Sequence, residues 1–156
     1  MSIELNQALP NFTVSAYPEQ TLTQENFKGQ WTVLYFYPRD DTPGCTQESL
    51  AFQEALTDFD ALNTRVVGVS RDNMASHEKF SQKFNLTFPL ICDTDEQLCQ
   101  LFGVLKEKTN YGKKYMGIER STFIFNPEGL LCHEWRKVSV PEHVPTVLAQ
   151  LKQLMS

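Results

Sequence analysis

Tyr37-Pro38-Arg39-Asp40-Asp41-Thr42-Pro43-Gly44-Cys45-Thr46-Gln47-Glu48 is the stretch on which the reading of this chain turns. Ahead of it, Trp31-Thr-Val-Leu-Tyr-Phe-Tyr37 is a continuous apolar and aromatic run with the length and β-rich composition of a buried strand. Behind it, Ala51, Phe52, Ala55, Leu56, Phe59 and Leu62 recur at helical spacing, which predicts a helix over 44–62 with one apolar face. Between strand and helix sits a turn, and the turn carries a cysteine.

The same alternation continues outward. Arg65-Val-Val-Gly-Val-Ser70 reads as a second buried strand, and 73–84 as a helix with Met74, His77, Phe80 and Phe84 along one side. Thr87-Phe-Pro-Leu-Ile-Cys92 is the next strand. Asp93, with Glu96 three residues on, has the pattern of a capping box for a helix that carries Leu98, Cys99, Leu101 and Phe102 and stops at Gly103. Residues 104–119 are polar and read as a loop with a lysine-rich ribbon. Arg120–Phe125 and Leu130–Arg136 flank Asn-Pro-Glu-Gly and predict a hairpin. A last helix has Val144, Val147, Leu148, Leu151 and Leu154 on one face. Residues 1–30, broken by Pro10 and Pro18, read as a lead-in outside the core, with a short strand at Phe12–Val14 and a turn of helix near Phe27. The whole predicts one α/β domain over 1–156, a mixed central sheet covered by helices.

A chain of 156 residues can bury a core without disulfides or a structural metal. Its net charge of −5 gives no footprint for nucleic acid or an anionic membrane. The first residues lack a basic region followed by an apolar stretch, and no apolar run approaches the ~18 residues of a membrane span. A cytoplasmic protein is expected. Cysteines stand at 45, 92, 99 and 132, without a Cys-x-x-Cys pair or a zinc spacing, so reduced thiols are expected. Cys132 and His133 are adjacent and point to opposite faces of a strand, which argues against a shared metal. No metal or cofactor is expected.

Thr42-Pro43-Gly44-Cys45 has the grammar of a helix start: a capping Thr, Pro at the first helical position, then Gly and Cys in the first turn. Unpaired N–H groups and the positive end of the helix dipole favour a thiolate there and can hold a bound oxygen. An Arg at the head of an apolar strand, Arg120, needs an anion or accepting oxygens.

Pro38-x-x-x-Thr42-x-x-Cys45 resembles the signature of the peroxiredoxins, thiol peroxidases on a thioredoxin-like three-layer fold. The longer Tyr35–Glu48 string is similar to the PrxQ, or bacterioferritin comigratory protein, subgroup, as are 66–72, 88–93 and 111–123. The resemblance implies that Cys45 is the peroxidatic cysteine. Thr42 would place its hydroxyl against sulfur and peroxide, Pro38 and Gly44 would line the pocket, and Arg120 would polarise the peroxide. Glu48 reads equally as a partner of that Arg or as a solvated charge.

Many PrxQ relatives resolve the sulfenic acid with a second cysteine. The two common places are Leu50 and Ser81 here. The resemblance therefore implies a one-cysteine enzyme, a monomer reduced by thioredoxin, a glutaredoxin or glutathione. Cys92 and Cys132 read as core fillers, and Cys99 is the remaining candidate for an internal resolving role. Two rival readings stay open: a thiol–disulfide exchanger, and a binding protein switched by Cys45 oxidation.

Overall fold

The computed structural model describes residues 3–156. In chain order the elements are β1 (Thr13–Tyr17), β2 (Gln20–Thr23), a 3-10 turn (Gln24–Phe27), β3 (Trp31–Phe36), α1 (Pro43–Glu54), α2 (Leu56–Ala61), β4 (Thr64–Ser70), α3 (Met74–Phe84), β5 (Leu90–Cys92), α4 (Gln97–Leu101), β6 (Leu105–Asn110), β7 (Lys113–Ile118), β8 (Ser121–Phe125), β9 (Leu131–Trp135) and α5 (His143–Met155). One sheet runs β2-β1-β5-β4-β3-β8-β9. Its middle, β5-β4-β3, is parallel, and its flanks are antiparallel.

Alternation along β3 divides the interior into two layers. Val33, Tyr35 and Tyr37 face a core built with Cys45, Phe52, Phe59, Phe80, Val144 and Val147. Leu34 and Phe36 face the other core, with Phe102, Phe123, Phe125, Leu98 and Cys99. Tyr35 lies flat against Phe52 (centroids 4.5 Å apart). Gly68 on β4 makes room for it, since a Cβ there would stand 3.0 Å from the phenol carbon and oxygen. Helices on both faces of a mixed sheet give the three-layer α/β arrangement the alternation predicts.

Four expectations need correction. Residues 1–30 are not a lead-in outside the core: β1 and β2 pair antiparallel, β1 joins β5, and Phe12, Val14 and Ala16 are buried. Met1 and Ser2 lie outside the described residues. The period-2 pattern Phe12, Val14, Ala16 makes its strand between the two prolines, and the Tyr17–Pro18 turn, with a cis peptide, folds it back. The predicted helix over 44–62 is two helices that part at Ala55, and nothing in the residue types there marks the break. The strand predicted from Thr87 is paired only over Leu90–Cys92. Asp93 is not the N-cap of α4, which is Glu96, and there is no capping box; from further upstream its carboxylate accepts from the amides of Leu98 (2.9 Å) and Cys99 (2.7 Å). Glu96 instead binds Arg71 at 2.8 Å.

The polar stretch 104–119 is an antiparallel ribbon, β6 with β7, turned at Tyr111-Gly112. Both turn residues have positive φ, the geometry of a tight two-residue hairpin. Arg71 donates to the Met116 carbonyl at 3.0 Å, and Lys108 to that of Ile118 at 2.7 Å. Among the described residues no helix is long and apolar enough to cross a membrane.

Candidate active site

α1 starts where the sequence placed a helix start, with Thr42 at the cap, Pro43 first and Cys45 third. Thr42 does not cap with its side chain. Its hydroxyl turns back and donates to the Arg39 carbonyl at 2.9 Å. Pro43 has no N–H to satisfy, which removes part of the need for a side-chain cap. A hydroxyl that has given its hydrogen to Arg39 keeps its lone pairs free to accept.

Cys45 is buried, at 1% exposure. Arg120, just ahead of β8, reaches it from the strand beside β3: Nη2 donates to Sγ at 3.5 Å, and Nη1 donates to Glu48 Oε1 at 2.8 Å. Glu48 is fully buried, one helical turn beyond Cys45, so it partners the arginine and is not solvated. Among the described residues its Oε2 has no hydrogen-bond partner. Burial pushes the Glu48 carboxyl up to about 7, against the pull of Arg120. Burial works against the charge of Arg120, yet Glu48 and Cys45 together hold its pKa above the ordinary value. Gly44 serves this approach, because a Cβ there would sit 3.2 Å from Arg120 Nη2.

Behind the guanidinium, Thr122 Oγ1 and His143 Nε2 are 2.8 Å apart and buried. Burial, seconded by Arg120, lowers His143 to about 4. Tyr35 closes the apolar side, its hydroxyl 2.8 Å from Ser49 Oγ. Pro38 is half-buried at the outer end of the loop.

The remaining cysteines stand elsewhere. Cys99 is wholly buried in the core on the opposite face of the sheet, and burial with the nearby Asp93 pushes its thiol far up. Burial takes Cys92 up to about 11, helped by Asp40 and Asp72. Cys132 is half-buried, and its sulfur donates to the Leu130 carbonyl at 3.5 Å. All four are free thiols. Ser81 is buried in α3, donating to the Leu86 carbonyl at 3.0 Å.

Sequence reasoning missed Asp40 and His77, which meet at 2.7 Å. The available signal was His77 itself, set on the apolar side of α3, where a buried imidazole must find partners for its ring nitrogens.

A buried cysteine on the first turn of a helix, met by an arginine from a distant strand, defines a class of thiol enzyme on a thioredoxin-like fold. The AhpC/TSA family profile matches residues 5–134. Peroxiredoxin Bcp of Xanthomonas campestris is 47% identical over 150 residues, covering 96% of this chain and 94% of that one. Peroxiredoxin Bcp of Bacillus subtilis is 44% identical, covering 99% and 98%. Among solved structures, peroxiredoxin Q of Xanthomonas campestris superposes with a TM-score of 0.89 at 46% identity, over 93% of this chain and 92% of that one. A cysteine-to-serine variant of Xylella fastidiosa PrxQ gives 0.93 at 40% identity, over 99% and 98%. This chain belongs to the AhpC/TSA family and, within it, to the PrxQ/Bcp peroxiredoxins, which are thiol-dependent peroxidases. Two further structures of the Xanthomonas protein carry single cysteine-to-serine exchanges 36 positions apart, and that interval from Cys45 leads to Ser81.

Proposed function

We propose that this peroxidase, a single domain, reduces hydrogen peroxide and small organic hydroperoxides in a one-cysteine cycle at Cys45, with an external thiol as reductant. The observation that carries the reading is the Arg120 guanidinium, which spans Cys45 Sγ and Glu48 Oε1. One of the Xanthomonas structures was solved to explain alkyl peroxide reduction by that protein.

In the first step the Cys45 sulfur attacks the terminal peroxide oxygen. An S–O bond forms, the O–O bond breaks, and the departing alkoxide or hydroxide takes up the proton lost by the thiol. Arg120 donates toward the oxygens as charge moves onto the leaving group, the type of contact that strengthens in a transition state. Thr42 accepts from the peroxide O–H, and Pro38 and Gly44 bound the space. The sulfenic acid then meets an external thiol, water leaves, and a mixed disulfide forms. A second thiol regenerates Cys45 and departs as the disulfide.

The external route is supported by Leu50 and Ser81 at the two common resolving places and by Cys99 lying across the sheet. A disulfide needs α-carbons within ~7 Å. Glutathione, thioredoxin and a glutaredoxin all fit the chemistry of the second step. We read the molecule as a cytoplasmic monomer. Intact mass after one equivalent of hydrogen peroxide, with dimedone present, tests the cycle. A single adduct at Cys45, lost in Cys45→Ser, is expected. Loss of two hydrogens that disappears in Cys99→Ser would replace the external route with an internal disulfide. An unoxidised Cys45 would end the peroxidase reading.

A further inference from the structure

Five residues upstream of Cys45, at Asp40, the loop is held by a second buried pair that the chemistry above does not use. The Asp40 side chain is 3% exposed and that of His77 0%. Asp40 Oδ2 takes His77 Nδ1 at 2.7 Å and the Ser76 hydroxyl at 2.8 Å, and Oδ1 takes the Tyr37 hydroxyl at 2.6 Å. The other ring nitrogen of His77 faces the Ile91 carbonyl at 2.9 Å. Both ring nitrogens therefore face oxygen atoms of the protein, which fixes the plane of the ring. The Asp40 amide donates to Asp72 Oδ2 at 2.8 Å, which also accepts from Ser70 at 2.6 Å. Asp40, Asp72 and His77 bring ligand-type atoms within 4.8 Å of one another. Both oxygens of Asp40, both nitrogens of His77 and Asp72 Oδ2 are already engaged by protein groups, so the cluster is a hydrogen-bonded knot.

The knot ties one loop residue to the residues that follow β3 and β4, to α3 and, through His77, to β5. Its neighbour in the chain is Arg39, whose carbonyl is the acceptor that orients the Thr42 hydroxyl. We propose that Asp40 and His77 are positioning residues for peroxide reduction: they fix the Arg39 carbonyl, and through it hold Thr42 as the acceptor for the peroxide O–H. The inference rests on the peroxidase reading above. It gives the buried pair a task in the oxidation step beyond holding the fold together. Misplacing a substrate-orienting group by about an ångström costs up to ~100-fold in rate. The reactivity of the sulfur toward an alkylating agent does not pass through Thr42.

The test compares two second-order rate constants at Cys45, with hydrogen peroxide and with iodoacetamide, in wild type, His77→Gln, Ser76→Ala and Ser76→Thr. All are measured well below each protein's thermal midpoint. The peroxide constant is expected to fall at least ~10-fold in His77→Gln and a few-fold in Ser76→Ala, with the iodoacetamide constant within about twofold of wild type. Ser76→Thr, which keeps the hydroxyl, should restore the peroxide constant. If His77→Gln does not fold, the Ser76 pair decides alone. Unchanged peroxide constants, or peroxide and iodoacetamide constants that fall together, would overturn the positioning role and leave the pair purely structural. A wild-type Cys45 inert to peroxide would instead remove the underlying function.

Discussion

Cys45 and Cys99 each stand third in a helix, each is buried, and they lie on opposite faces of one sheet. Around Cys45 the first turn has no side-chain cap, and a guanidinium donates to the sulfur. Around Cys99 the first turn is closed by Asp93, which takes the amides of both Leu98 and Cys99. One thiol therefore has a cation as its nearest charge, the other a carboxylate. Helix position alone gives both cysteines the same claim to reactivity. The charge that a distant segment delivers separates them, together with the length of the helix, since α4 has only five residues.

Removing the delivered charge should make the two sites alike. Arg120→Met is expected to lower the peroxide rate constant at Cys45 by ~100- to 1,000-fold, the scale for deleting one preorganised donor, as read by stopped-flow competition against a reference peroxidase. Crowding the guanidinium without removing it is a milder break. Gly44→Ala puts a methyl 3.2 Å from Nη2, and a loss of about tenfold is expected in the same assay.

The charges around Arg120 also leave a signature in stability. The folded pKa of Glu48 is raised from 4.5 to about 7, so its contribution is greatest at low pH and is lost as pH rises through that window. His143 is lowered from 6.5 to about 4, so its contribution is lost as pH falls through 6.5 to 4. The two oppose each other. Thermal midpoints scanned from pH 4 to 7 should rise with pH in Glu48→Gln and fall with pH in His143→Asn, by several degrees at ~2–4 °C per kcal/mol. Parallel scans for wild type and both variants would show that neither group titrates as its surroundings imply. The smallest effect belongs to the far cysteine: Cys99→Ser should leave peroxide turnover within about twofold of wild type, checked in the coupled assay with an external thiol.

What the sequence disclosed follows from distance along the chain. Strand, turn and helix around Cys45 are contiguous, so periodicity and turn chemistry expose them together. Arg120 comes from 75 residues away. It was visible only as a charge in an apolar strand and through the resemblance. Glu48 could be placed on the helix but not between burial and solvent, because that depends on the arginine meeting it. The Asp40–His77 knot joins segments 37 residues apart, and Asp40 looked like one acidic loop residue among several. The hairpin of β1 and β2 was hidden by Pro10 and Pro18, which sit outside the paired residues and do not interrupt them.

The hold on Asp40 also sets a tether. With that residue fixed, the five residues from Asp41 to Cys45 can extend to at most about 17 Å, at ~3.4 Å per residue. However far the first turn of α1 unwinds, the α-carbon of Cys45 stays inside that radius and its sulfur within a side chain's length of it. In the proposed one-cysteine cycle the reducing thiol would have to come to it, on the face of the molecule where the loop emerges. The footprint of the partner is bounded by the length of a leash.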